Sequence, residues 1–416
     1  MTNDTSSPRR SQEDGRDIGP SLSGTHLSGT NLERAGDHNQ RVTLHAIRVK
    51  GPVTRTDLVD MTGLTAPAIA NITKRLLKDN LIKEAGRQRG GRGQPPLKLV
   101  INPDGCFSIG VNVDRDHITL VVLDFEGRVR ARSSREIAFA LPDAVERFFR
   151  RSIGRLLQKA HVQAKQLIGI GLAIPDDISR PELPDKPAEY ASWGTVAIDC
   201  LLTRTLPIPI FVENDAAAAA MGEMQFGHGH QYQSFFYILI TAALGGGLVL
   251  DGHYFRGAQG RSGELGMLTG PDDSGNARQL QNIVSLSALY SRLAAKGYKV
   301  ASPHGLTRLD EGGAAIVSAW VDNSVEALRE TILAVNCLID PQAILIGGRL
   351  PARIVDELAR RLNTQMRCYA DTIPAVAPVA RAAMSDDAPA VGAAILPFSD
   401  RFLPTRAALM KTANAF

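Results

Sequence analysis

The 416-residue sequence has no apolar run approaching the ~18 residues that a membrane-spanning helix needs; its hydrophobic stretches are short and broken by glycine or charge. Its first residues, MTNDTSSPRRSQEDGRD, contain no apolar core of the kind a secretory leader requires, so a cytoplasmic protein is expected. Cysteine is scarce. Cys106, Cys200, Cys337 and Cys368 are far apart and form no C-x-x-C pair, which argues for free thiols in a reducing compartment and against a clustered cysteine metal site. With 44% hydrophobic and 22% charged residues, the composition is that of a globular protein with two or three domains.

Charge is unevenly placed. Residues 37–100 carry 12 Lys/Arg against 5 Asp/Glu, whereas the whole chain nets only +4. A compact basic module in front of a nearly neutral body points to a polyanion-binding head joined to a part with another task.

Residues 1–36, rich in Ser, Thr, Asn, Asp and Gly, read as a flexible tail. Residues 37–51 predict a short helix stopped by Gly51-Pro52. Thr54 followed by Asp57 is a capping box opening a second helix, which Gly63 ends. Thr65 then caps a third helix, with Pro67 in its first turn and Ile69, Ile72, Leu76 and Leu77 as its apolar face. Two helices joined around Gly63 have helix-turn-helix spacing. Two short strands at 81–85 and 97–101, joined by GRQRGGRGQPP, predict a hairpin with a basic tip, so residues 37–104 read as a winged helix-turn-helix.

A helix that enters a major groove needs small or hydrogen-bonding residues at its start and cations along its flanks. The third helix offers Thr65, Ala66, Ala68 and Asn71, then Lys74, Arg75 and Lys78. Asn71 is suited to an adenine edge, and Ala66 or Ala68 to a thymine methyl. Arg55 and Thr56, opening the second helix, and the wing residues Arg87, Arg89 and Arg92 are expected to meet the backbone or an adjacent minor groove. The expected partner is double-stranded operator DNA.

The body, from about residue 105, alternates glycine-bounded strands with helices, which predicts an α/β fold in two lobes. Strands are expected at 107–129, 167–175 and 208–215, at 235–252 with a Gly-rich turn at Gly245–Gly247, and at 343–347. Helices are expected at 142–163, 216–224, 311–339, 351–364 and 389–396.

From about residue 30 to residue 400 the chain resembles the ROK family of transcriptional repressors, whose body is related to bacterial sugar kinases. The resemblance rests on HNQRVTLHAIRVKG and the following head, on FVENDAAAAAMGE (211–223), and on Arg256-Gly257-x-x-Gly260-x-x-Gly263-Glu264-Leu265-Gly266. It implies a winged helix-turn-helix followed by a two-lobed, actin/hexokinase-like (ribonuclease-H-like) body. The first lobe would span 105–230 plus about 385–400, the second 231–384, and a tail 401–416. It also implies a sugar-like effector between the lobes and assembly as a homodimer or dimer of dimers. Asn214, Asp215 and Glu264 match the family's sugar contacts, Gln281 falls at its last sugar-binding glutamate, and Trp193 is a candidate ligand wall.

The departures from the family pattern are equally specific. The first phosphate motif, D-x-G-G-T-K, is Asn112-Val113-Asp114-Arg115-Asp116-His117 here, and its acids are expected to repel nucleotide phosphates. The second, G-T-G-I-G-G-G, is Thr241-Ala242-Ala243-Leu244-Gly245-Gly246-Gly247. Met267 replaces the family's histidine, residues 268–282 contain no cysteine, Ala217 replaces an asparagine, and Asp176 replaces a glycine. Neither catalysis, bound ATP nor the family zinc is therefore expected. The leading expectation is a repressor of carbohydrate uptake or catabolism genes. The alternatives are an ATP-dependent sugar kinase with a regulatory head and a regulator that answers to a protein partner.

Overall fold

A computed structural model describes residues 32–87, 96–176, 178, 186–198, 200–384 and 387–404. The fold is mixed α/β.

The head contains α1 (Leu32–Lys50), α2 (Arg55–Thr62) and α3 (Ala66–Lys78), then β1 (Ile82–Arg87) paired antiparallel with β2 (Leu97–Ile101). Thr54 and Asp57 form the expected reciprocal capping box. Gly63 ends α2 with φ +69°, a left-handed conformation that favours glycine. Thr65 caps α3. Ile69, Thr73 and Leu76 form the buried stripe of α3, and with Leu44, Ile47, Leu58 and Leu99 they close a small core. The first helix begins at Leu32, inside the segment read as tail.

The body has two five-stranded sheets of the same design. In the first, β3 (Phe107–Val113), β4 (His117–Asp124) and β5 (Val129–Glu136) form an antiparallel meander. After α4 (Pro142–Ala160), β6 (Leu167–Ala173) joins β3 in parallel; after α5 (Cys200–Thr203), β7 (Ile210–Glu213) joins β6. The order is β5-β4-β3-β6-β7. Then comes α6 (Asp215–Phe226).

The second sheet repeats this order with β8 (Phe235–Ile240), β9 (Leu244–Leu250) and β10 (His253–Tyr254) as the meander. A small hairpin, β11 (Thr269–Pro271) and β12 (Ala277–Gln279), precedes α7 (Leu286–Ala295), α8 (Pro303–Leu306) and α9 (Glu311–Ile339). Next come β13 (Ala343–Gly348), α10 (Ala352–Met366) and β14 (Val379–Arg381), the two strands completing β10-β9-β8-β13-β14. Finally α11 (Ala388–Phe402) returns to the first sheet.

Close approach of backbones holds the middle together. A Cβ on Gly110 or Gly171 would fall 1.8 or 1.7 Å from the carbonyl oxygens of Ala390 and Ala393, so α11 lies directly on β3 and β6. A Cβ on Gly392 would fall 1.7 Å from the Ala218 carbonyl, so α11 and α6 touch without intervening side chains.

One expectation is corrected here. Gly245–Gly247 lie within β9, and the turn is Thr241–Ala243. The glycines are needed because a Cβ on Gly245 or Gly247 would meet Ala216 Cβ at 2.8 Å or Ala220 Cβ at 2.6 Å, both on α6. Alanines on the helix and glycines on the strand bring α6 against the second sheet while its other side holds α11.

Gly392→Ala should therefore cost about 3 kcal/mol or more, the upper range for overpacking. Chemical denaturation would show a lowered midpoint, and an unchanged midpoint would contradict the backbone contact.

Candidate functional site

The head presents α3 outward. Thr65, Ala66, Asn71, Lys74, Arg75 and Lys78 are exposed on the face opposite Ile69, Thr73 and Leu76, and Thr56 and Arg87 are exposed as well. Lys74, Arg75, Lys78 and Arg87 enter no ion pair among the described residues. Two expected contacts are placed differently. Ala68 is half-buried, and Arg55 is half-buried too, its Nε donating to Thr73 Oγ1 at 2.9 Å to tie α2 to α3. Arg89 and Arg92 lie outside the described residues.

The head is also docked. Arg41 donates to the carbonyls of Asp400 (2.7 Å) and Leu403 (3.1 Å), within and just past the end of α11. Arg48 donates to Gln225 Oε1 at 2.5 Å and lies over the Phe226 ring, at the far end of α6. His45 beside it is pushed down to about 4 by burial and by the Arg48 charge. Phe125, Phe398 and Phe402 continue the head's core into the first lobe.

In the body the five expected effector residues divide. Asn214 and Trp193 line a cavity of about 520 Å³ with Asp176 and Arg261. Asn214 Oδ1 accepts from Ala216 N (2.9 Å) and Ala217 N (3.1 Å) as the cap of α6, which leaves its amide hydrogens for a ligand. Trp193 is 5% exposed and its Nε1 donates to the Ala140 carbonyl at 2.7 Å, so it is chiefly a core residue showing an edge to the cavity. Glu264 pairs with Arg261 at 3.1 Å. Gln281 lines a larger polar cleft of about 690 Å³, where its Nε2 donates to Gln279 Oε1.

Asp215, the first residue of α6, lines neither cavity. It is 8% exposed, and its carboxyl is raised to about 7 by burial first and by the nearby Asp114 charge second, with Arg115 pulling the other way. The turn between β3 and β4 therefore faces the start of α6.

That turn is not the acid-lined loop expected from its sequence. Asp114 is fully buried, and its Oδ1 accepts from the Arg115 backbone N–H at 2.7 Å. Asp116 is held by His117 Nδ1 at 3.1 Å and by Arg349 at 3.0 Å. Burial would raise its pKa, but these two partners outweigh that and hold it below the usual carboxylate range. Arg349 follows β13 and also pairs with Glu136 of β5, so it bridges the two lobes. The side chain that lines the cleft on this turn is Arg115, which an inspection for acids and glycines passes over. Its signal was a cation standing where the family has a glycine.

Asp114, Asp116 and His117 bring ligand atoms within 4.8 Å of one another, the one such group among the described residues. Asp116 is already engaged by His117 and by Arg349, so the arrangement reads as an ion-pair network. The glycines of β9 are consumed in packing α6, and Arg349 reaches the β3–β4 turn from the other lobe.

Asp215 carries a pH signature. With its proton held more tightly when folded, its stabilising contribution is present below its unfolded value near 3.8 and is lost as pH rises through about 7. Asp215→Asn should flatten the fall in melting temperature over that window and leave the protein more stable than wild type at pH 8. Equal destabilisation at pH 5 and pH 8 would contradict the buried, protonated acid.

Residues 108–399 match the ROK family. The chain is similar to the xylose repressor of Bacillus spizizenii, 29% identical over 271 residues that cover 63% of this chain and 69% of that protein. It is similar to the N-acetylglucosamine repressor of Escherichia coli O157:H7, at 23% identity over 83% of this chain and 90% of that one. Among solved structures, a ROK family transcriptional regulator, homolog of the E. coli MLC protein, superposes with TM-score 0.64 at 20% identity over 91% of this chain and 100% of its own. The ROK hexokinase of Thermus thermophilus superposes with TM-score 0.53 at 24% identity over 71% and 98% of the two chains. With a family match over this much of its length, the chain belongs to the ROK family.

Proposed function

We propose that this protein is a DNA-binding transcriptional repressor of carbohydrate uptake or catabolism genes, controlled by a sugar-like effector held between the lobes of a body that does not catalyse phosphoryl transfer. Relatives named as xylose and N-acetylglucosamine repressors support the reading, as does the exposed basic face of α3. The observation that carries it is α6. One continuous helix starts at Asn214 and Asp215 beside the cleft and ends at Gln225 and Phe226 against Arg48 of the head. A helix so tightly packed moves as a unit, so a ligand that shifts its start changes what α1 meets at its end. A symmetric dimer reading paired half-sites follows from the small surface that one head offers DNA.

The kinase reading keeps one favourable observation: an acid with a pKa near 7 is what a general base needs. A coupled assay with Mg-ATP and a sugar panel decides between them. No turnover is expected; turnover abolished by Asp215→Asn would overturn the repressor-only reading.

The direct experiment is fluorescence anisotropy of the full chain on duplexes selected from a random pool, with and without xylose, N-acetylglucosamine and their phosphate esters. Sugar-dependent affinity is expected, and DNA binding indifferent to every sugar would favour a protein partner instead. In Arg48→Ala, the sugar effect on DNA affinity should collapse from the about 5–150-fold usual for allosteric coupling toward 1, with sugar binding retained. Coupling of wild-type size in that variant would contradict transmission through α6.

On the same duplexes, Asn71→Ala should relax preference at one base pair by about 1–3 kcal/mol. Replacing Arg87, Arg89 and Arg92 by alanine should lower the salt slope by about 0.9 for each lost phosphate contact. A uniform loss across all sequences in the first variant would make Asn71 a positioning residue, and an unchanged slope in the second would remove the wing from the backbone.

A further inference from the structure

Arg115 is 6% exposed, yet its side chain makes no hydrogen bond or ion pair among the described residues, and its Nε is buried without a partner. Burying a guanidinium without an anion is costly, and proteins rarely leave one so. Arg115 lines both the 690 Å³ cleft and an adjoining cavity of about 470 Å³, so it stands where the two meet. Ala242, Ser287 and Ser291 share that position, the alanine leaving space beside the guanidinium.

The neighbouring charges do not occupy it. Asp116 is engaged by Arg349 and His117. Asp114 is fully buried, facing His117 at 3.7 Å and the Arg115 backbone rather than its guanidinium. The two other arginines of the cleft are satisfied: Arg278 by Asp272 at 3.3 Å, and Arg292 by Asp273 at 3.0 Å and Asn323 at 2.6 Å. Asp215 feels the Arg115 charge but makes no ion pair with it, so Arg115 is the one arginine of this cleft without an ion-pair partner among the described residues. The polar groups around it suit hydroxyls. Ser287 and Ser291 donate to the carbonyls of Ala242 (2.6 Å) and Ser287 (2.9 Å), which leaves their oxygens as acceptors.

From this geometry we infer that Arg115 binds the anionic group of the effector, which is a sugar bearing a phosphate or carboxylate rather than a neutral sugar. The inference rests on the sugar-effector reading above and narrows it. A guanidinium meets either anion through paired N–H donors, and the serine oxygens accept from ring hydroxyls. The cleft, at about 690 Å³, lies within the range of small-molecule sites and has room for a sugar with a charged group.

The test is calorimetry on the full chain with glucose, glucose 6-phosphate, gluconate, N-acetylglucosamine and its 6-phosphate, and with inorganic phosphate and Mg-ATP alone. At least one anionic sugar should bind about tenfold or more tightly than its neutral parent, the size expected of a hydrogen-bonded charge. R115Q should remove that preference and leave neutral-sugar affinity unchanged, while R115K, which keeps the charge without the planar fork, should keep part of it. Which anionic sugar binds separates phosphate from carboxylate. Neutral sugars binding as tightly as their anionic forms, or a preference that survives in R115Q, would overturn the anion site while leaving the sugar reading intact. Arg115-dependent binding of inorganic phosphate or Mg-ATP with no sugar bound would keep the anion site and overturn the sugar. No binding by any of them would overturn both.

Discussion

The structure depends on one steric constraint: α6 has no room for side chains on either of its packed sides. Its alanines meet α11 through Gly392 and the second sheet through Gly245 and Gly247. Residues Ala216–Ala220 are at most 2% exposed, so the helix sits as a bare rod between the lobes. A side chain there would hold the lobes apart and act as a cushion. Without cushions, displacement at one end has to appear at the other, because close-packed backbone contacts deform little. Glu223 adds to this stiffness: its buried carboxylate accepts from the backbone of His228, Ala383 and Met384, tying the end of α6 to the segment that leads into α11.

The second determinant is how charge is distributed in the cleft. At the β3–β4 turn Arg349, from the second lobe, satisfies Asp116 and Glu136 of the first, so a protein side chain joins the lobes there. The buried acid at the start of α6 feels the charge of Arg115, which lines the cleft, so what enters the cleft bears on the start of α6.

Much of this was legible in the amino-acid sequence where the signal is local. The capping box at Thr54, the left-handed Gly63, the cap at Thr65 and the long helix 311–339 all appear as read, since each depends on residues a turn apart. Features that depend on distant partners were not legible. The glycines of β9 look like a turn until the alanines of α6 are set against them. The bond from Arg55 to Thr73 and the bond from Trp193 to the Ala140 carbonyl could not be read from residues that lie 18 and 53 positions apart. Asp114 and Asp116 look repulsive until Arg349 arrives from more than 200 residues away. The identical strand order of the two sheets leaves no short-period repeat, because topology constrains pairing while many apolar residues satisfy each position.

The central claim is that α6 connects cleft and head. Linkage requires the connection to work in both directions. The most direct measurement is therefore hydrogen–deuterium exchange of the full chain with and without a bound duplex. The account predicts altered exchange in α6 and around the β3–β4 turn when DNA occupies the head. Changes confined to residues 32–101, with α6 identical in both states, would contradict it.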